Sequence, residues 1–201
     1  MSRLVIKLFC EDSGHEAFAR ALIRRLASEA GQPTPEIEPR SVRGGHGKAI
    51  SELVAWQRWV RRGVESPGDA LVVCVDGNGT GWATQRKTIE REVDRGLFAT
   101  CIIACPDPHV EAWCAADPEA LQRKLEVVLP PLPLRPGRDV YKRWLSDALD
   151  AAGHIVFDDP MDIAPELVPE MDLFKAGKAQ PSLGALITDL QALFKRAAST
   201  P

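Results

Sequence analysis

No stretch of about 18 consecutive apolar residues occurs in this 201-residue chain, so no membrane-spanning helix is expected. Nor is there an excess of basic charge: 25 Lys and Arg stand against 28 Asp and Glu, a formal net charge of -3. The molecule as a whole is not a polycation, and any contact with nucleic acid has to come from a local basic patch. Met1-Ser2-Arg3 runs straight into an apolar segment and lacks a signal-peptide pattern. The five cysteines show no zinc-knuckle spacing, and Cys101 and Cys105 lie four apart at a strand and its exit. Most of them sit in apolar runs, which reads as reduced, buried thiol in a cytoplasmic protein. No internal repeat is visible. What remains is an ordinary globular balance, 45% hydrophobic and 26% charged, long enough for one domain with a sizeable core and a small appendage.

Apolar runs and amphipathic segments alternate along the first half of the chain. Strands are expected over residues 4–10, 36–42, 70–75 and 100–104, and helices over 15–30, 49–62 and 84–95. In the first helix Phe18, Leu22 and Leu26 recur every four residues, and Gly31 ends it. Pro39 interrupts the second strand and places it near a sheet edge. Such alternation implies parallel βαβ units. Beyond the fourth strand the pattern turns helical, with segments at 109–116, 118–129, 140–152 and 183–197 and a proline-rich connector at 130–136. Residues 158–172 are ambiguous, because Pro160, Pro165 and Pro169 cut up any long helix.

Acids stand where the buried strands end. The first strand runs into Glu11-Asp12-Ser13-Gly14-His15-Glu16 and the third into Asp76-Gly77-Asn78-Gly79-Thr80-Gly81. Ligands of open parallel sheets bind outside the carboxyl ends of the strands, and clustered carboxylates hold Mg²⁺. If Glu11 and Asp76 share an ion, strands one and three must be neighbours, about 4.8 Å apart, and the economical order is 2-1-3-4. That order follows from the supposed ion and is no support for it. Asp76 opens a loop whose glycines let backbone amides approach an anion, and Asn78 can add a neutral oxygen; a plain tight turn uses the same residue types. Glu16 has a competing role in a capping box with Ser13, and His15 is expected to face solvent. Glu111 falls in the first turn of a helix pinned by Pro106 and Pro108, as a ligand at the same mouth or simply as an acid favoured by the helix dipole. Asp117 reads as an N-cap before Pro118. Gly77-x-Gly79-x-Gly81 has the wrong spacing and place for a dinucleotide fingerprint.

Glu-x-x-Gly-x-Glu after strand one, Asp-x-Asn after strand three, then Pro-x-x-His-Val-Glu-Ala-Trp-x-x-Ala-Asp-Pro-Glu-Ala together resemble the TOPRIM-like proteins related to the nuclease domain of the OLD (overcoming lysogenization defect) family. The resemblance covers roughly residues 4–121. It implies a TOPRIM-like α/β domain over residues 1–129, followed by a helical extension over 130–201. It also implies Mg²⁺ (or Mn²⁺) held by Glu11, Glu16 and Asp76, with Asn78 in the place of a second aspartate. Two departures stand out: an additional residue precedes Glu16, and the lost acid at Asn78 should weaken a two-metal site, leaving a single-metal enzyme or an inactive relative.

The expected activity is metal-dependent hydrolysis of nucleic-acid phosphodiesters, as an endonuclease acting first of all on DNA. Glu11, Asp76 and Glu111 would be catalytic, and Arg43, His46 and Lys48 of the basic loop after strand two would hold the substrate. Proteins of the resembled kind often act beside an ATPase partner in defence against phage or foreign DNA. The alternatives are a non-catalytic module binding nucleic acid or an ATPase, and a phosphatase or nucleotide hydrolase. Arg40, Arg58, Arg61 and Arg62 lie close to the basic loop, although a solvated helix face explains such a run equally well. Of the five tryptophans, Trp56, Trp59, Trp113 and Trp144 are expected as core or interdomain anchors, and Trp82 as a surface on which a base can stack.

Overall fold

A computed structural model describes residues 3–42, 46–132, 139–154 and 159–199, with only the backbone of His46. Four parallel strands form the sheet among the described residues, in the order β2-β1-β3-β4. They are β1 (Val5–Cys10), β2 (Glu36–Ser41), β3 (Ala70–Cys74) and β4 (Cys101–Ala104). The crossovers are α1 (Ser13–Glu29), α2 (His46–Arg61) and α3 (Trp82–Glu92). This is the expected α/β, Rossmann-like architecture, with β2 at an edge. β1 and β3 lie side by side in a register that sets Cys10 against Cys74, so the segments leaving both strands emerge level with each other.

Alternation along the strands divides the core in two. Ile6, Leu8, Cys10, Val72, Cys74 and Ile102 face α1 and the C-terminal helices. Phe9, Leu71, Val73, Val75 and Ile103 face α2 and α3. β1 and β3 are buried on both faces, as strands in the middle of a parallel sheet must be. β2 buries only Ile37. Lys7, inside β1, is almost fully buried and pairs with Glu38 on β2.

The chain after β4 forms α4 (Glu111–Cys114), α5 (Pro118–Leu125), α6 (Val140–Ala151), α7 (Ala164–Leu167), α8 (Leu173–Ala179) and α9 (Pro181–Ala198). Short 3-10 turns at Pro160–Ile163 and Val168–Glu170 flank α7; this is how the proline-cut stretch resolves. The C-terminal helices lie on the same sheet face as α1 and share its core. Leu183, Leu186, Leu190 and Phe194 of α9 are buried with Phe18 and Leu22 of α1. Trp113 Nε1 donates to Ser182 Oγ at 2.9 Å, and its ring meets Phe18 at 5.2 Å. Asp117 caps α5 through the Ala120 amide, as expected, and also accepts from the Asp172 amide at 2.7 Å. Arg25 donates to the carbonyls of Val168 and Met171.

Trp56, Trp113 and Trp144 are buried, but Trp59 is 48% exposed, with Arg40 against its ring. It falls on the outer side of α2, away from the stripe formed by Ala49, Leu53, Trp56 and Val60. Trp82 is half-buried against the α2–α3 side of the core.

α8 and α9 approach closely enough that a Cβ on Gly184 would stand 2.7 Å from the Gly177 carbonyl oxygen. Gly184→Ala should therefore cost about 1–3 kcal/mol, the usual penalty for overpacking. Gly47→Ala, where a Cβ meets nothing within 4 Å in α2, should be neutral or slightly stabilising. Urea denaturation of both variants checks the contrast, and equal stabilities would refute the close approach.

Candidate metal centre

The site forms where β1 and β3 end. The Glu11 amide donates to the Cys74 carbonyl at 3.0 Å, carrying the β1–β3 ladder one residue past the strands. In return the Asp76 amide donates to Glu11 Oε2 at 3.1 Å. The two carboxylates are thus brought together at the carboxyl end of the sheet, both nearly buried at 8% and 7% exposure.

The third member is His15, which is fully buried and does not face solvent. Asp12, and not Ser13, is the N-cap of α1: its Oδ1 accepts from the His15 amide at 3.0 Å and from the His15 ring Nδ1 at 2.7 Å. Nε2 at the other side of the ring donates to Asp76 Oδ1 at 2.8 Å. His109, from the segment after β4, donates through Nδ1 to Asp76 Oδ2 at 2.8 Å. Each oxygen of Asp76 therefore meets an imidazole. One donor atom each from Glu11, His15 and Asp76 lies within 4.8 Å of the other two.

Burial disfavours charge on His15, but hydrogen bonds to Asp12 and Asp76 and the charges of these acids outweigh it and raise the imidazole to about 10. Burial likewise pushes Asp12 up, yet its bonds to His15 prevail and bring it down to about 2. Asp76 is lowered too: its burial is overcome by the bonds to His109 and His15. His109 is raised by its bond to Asp76. Glu111 is raised by burial and by the nearby Asp76 charge. A cavity of about 130 Å³ opens in front of the cluster, bounded by Asp12, His15, Asp76, His109, Glu111, Asp139, Lys142 and Asp159. Glu11 is not among its lining residues and joins the cluster through the Asp76 amide.

The other expected ligands are placed elsewhere. Glu16 pairs with Arg20 at 2.7 Å and accepts from Ser41 Oγ at 2.5 Å. With Asp12 as the cap, Glu16 moves to the flank of α1 and does not close a capping box. It lies along an open groove of about 1030 Å³ lined by Arg20, Arg24, Arg25, Pro165 and Pro169. Asn78 is exposed at φ 50°. The loop amides expected to cradle an anion are used internally: Gly77 donates to the Pro106 carbonyl, Asn78 to the Pro108 carbonyl and Gly79 to Asp107 Oδ1. A Cβ on Gly77 would stand 2.7 Å from Asp107 Oδ1, so any larger residue there would displace the Asp107 side chain.

Among the basic residues, Arg43 and the His46 side chain lie outside the described residues, and Lys48 is exposed in the first turn of α2. α2 starts at the carboxyl end of β2, so Lys48 belongs to the same end of the sheet as the acids. Arg40 is held by Glu65, and Arg61 pairs with Asp94 at 2.5 Å.

His15, Asp12 and His109 are the members that residue types alone did not reveal. One signal was available for His15: extended back by one turn, the buried stripe of Phe18, Leu22 and Leu26 reaches position 15. Magnesium sites commonly use one or two carboxylates with the remaining positions filled by water. Glu11 and Asp76 satisfy that minimum, while Glu16 is engaged by Arg20 and Ser41 and Asn78 is exposed in its loop. No family model, curated protein or solved structure matches the chain. No helix among the described residues is long and apolar enough to cross a membrane.

The pH dependence follows from the cluster. His15 is raised above its ordinary value of 6.5, so its contribution to stability is complete below about 6.5 and is lost as pH climbs through about 10. Asp12 is lowered from 3.8, so its contribution is complete above about 3.8 and is lost as pH falls through about 2. In urea titrations without divalent ions, the stability gap between wild type and His15→Gln should be widest near pH 5–6 and shrink toward pH 10. A gap that does not vary with pH would contradict a charged His15.

Proposed function

We propose that the protein is a metal-dependent phosphodiester hydrolase of the nuclease type. The observation that carries this reading is the convergence of Glu11 and Asp76 at one buried point on the carboxyl end of the sheet, in front of a cavity lined by further ionisable groups. A divalent ion bound there polarises a phosphoryl oxygen and acidifies a water. Glu111, buried and raised above the ordinary carboxylate range by that burial and by the Asp76 charge, suits a group that takes up or releases a proton. Lys142 on the cavity wall supplies a positive charge for a phosphate. Lys48, with Arg43 and His46 before it, supports a polyanionic substrate approaching over α2. The TOPRIM-like relationship, the ATPase partner and the defence role belong to the same proposal and rest on the three sequence motifs.

A second reading, a non-catalytic module, is favoured by one observation: both oxygens of Asp76 are already engaged by His15 and His109. In that state the cluster is a buried ion-pair network that stabilises the sheet end and performs no chemistry.

The deciding assay offers plasmid DNA, single-stranded DNA and a small phosphate monoester to wild type and Asp76→Ala, each with Mg²⁺, Mn²⁺ or Zn²⁺. Cleavage of the nucleic acids by wild type, reduced at least about 100-fold in the variant, is expected. Undiminished activity in Asp76→Ala removes the central residue, and turnover of the monoester alone redirects the reading to a phosphatase. An inert wild type with every ion leaves the non-catalytic module.

A further inference from the structure

The imidazole of His15 is arranged as a metal ligand is. A ligating histidine typically gives its second ring N–H to a carboxylate, which fixes both the tautomer and the ring orientation. His15 has that partner: Nδ1 bonds Asp12 at 2.7 Å, and Asp12 is itself fixed as the N-cap of α1 by the His15 amide. Nε2 then points at Asp76 Oδ1, 2.8 Å away. Donors about 2.0–2.2 Å from a common tetrahedral ion stand about 3.3–3.6 Å apart, so the two atoms have to part by about 0.5–0.8 Å when an ion takes the place of the shared proton. The second oxygen of Asp76 is held by His109, which leaves Oδ1 as the oxygen directed at the shared point. The ring is fully buried on the packed face of α1, and one of its nitrogens lies within 4.8 Å of a carboxylate oxygen of both Glu11 and Asp76.

We propose that His15 Nε2 is the third ligand of the Glu11–Asp76 centre and Asp12 its orienting partner, so that the site takes a first-row transition ion of the Zn²⁺ class in preference to Mg²⁺. Imidazole nitrogen suits Zn²⁺, Fe²⁺ and Ni²⁺, whereas Mg²⁺ is served by oxygen. As the ion binds, it takes the Nε2 lone pair, the proton there leaves to solvent, and Nδ1–H stays with Asp12. This inference rests on the metal-centre part of the preceding proposal and not on its hydrolytic part.

The test measures binding on the full, metal-stripped chain. Calorimetric titration with ZnCl₂ should give an affinity at least about 100-fold above that for MgCl₂. His15→Gln should lower Zn²⁺ affinity by more than tenfold while changing Mg²⁺ affinity little, and Asp12→Asn should lower Zn²⁺ affinity about 10- to 100-fold. Circular dichroism verifies that the variants fold. Independently of any variant, the side-chain ¹⁵N resonances of wild type should show His15 Nε2 shifting on addition of Zn²⁺, with Nδ1 still protonated. An unmoved Nε2 resonance, equal Zn²⁺ and Mg²⁺ affinity, or no binding of either ion overturns the assignment. Zn²⁺ binding through Nε2 without cleavage of any phosphodiester upholds it and removes the hydrolase instead.

Discussion

A carboxylate buried at the end of a central strand needs partners, because an isolated charge in that position is far too costly to keep. Asp76 is that carboxylate. Its partners come from distant parts of the chain: His15 from α1 and His109 from the segment after β4. Its own amide is committed to Glu11. These contacts require β1 beside β3, α1 starting directly over the β1 exit, and the β4 exit folding back toward β3. The sheet order and the site thus satisfy one electrostatic condition together.

The supports around Asp76 are mostly main-chain. The Pro106–Pro108 segment accepts from the Gly77 and Asn78 amides, and Asp107 accepts from Gly79. Amides of a loop whose composition suits an anion instead brace the segment that leads to His109. The side chains of Asp12, His15, Asp76 and His109 are hydrogen-bonded to one another, so little side-chain ordering remains to oppose binding. Acids nevertheless outnumber bases around the cavity, with Asp12, Asp76, Glu111, Asp139 and Asp159 against His15, His109 and Lys142. Such a lining favours a cation at the centre, while Lys142 offers a counter-charge for an anion that follows it.

Much of this was legible in the sequence. The apolar runs ending in Glu11 and Asp76 located the strands and their mouths, and Pro39 located the edge. What escaped was set by side chains choosing between two local roles. Asp12 and Ser13 are both good caps, and with Asp12 as the cap Glu16 falls one position beyond a capping box and pairs with Arg20 and Ser41 instead. His15 belongs to a residue type usually taken as solvated, and only its place on the apolar stripe of α1 indicated the interior. The glycine loop has a composition equally suited to holding an anion and to docking on a neighbouring segment, and only the position of the Pro106–Pro108 segment decides between these. The prolines at 160, 165 and 169 broke the helical periodicity on which sequence reasoning depends, so the 3-10 turns there left no periodic trace.

Gly14, next to His15, lies so close to the tail that a Cβ on it would sit 2.9 Å from Met161 Cγ. Met161 and Asp159 also bound the cavity in front of Asp76. The last quarter of the polypeptide is thus a structural wall of the chamber in front of Asp76 as well as a cover for the sheet. Evolutionary exchange of that region for another helical tail would have to preserve this one point of contact, or the chamber would lose a side while the strands beneath it stayed intact.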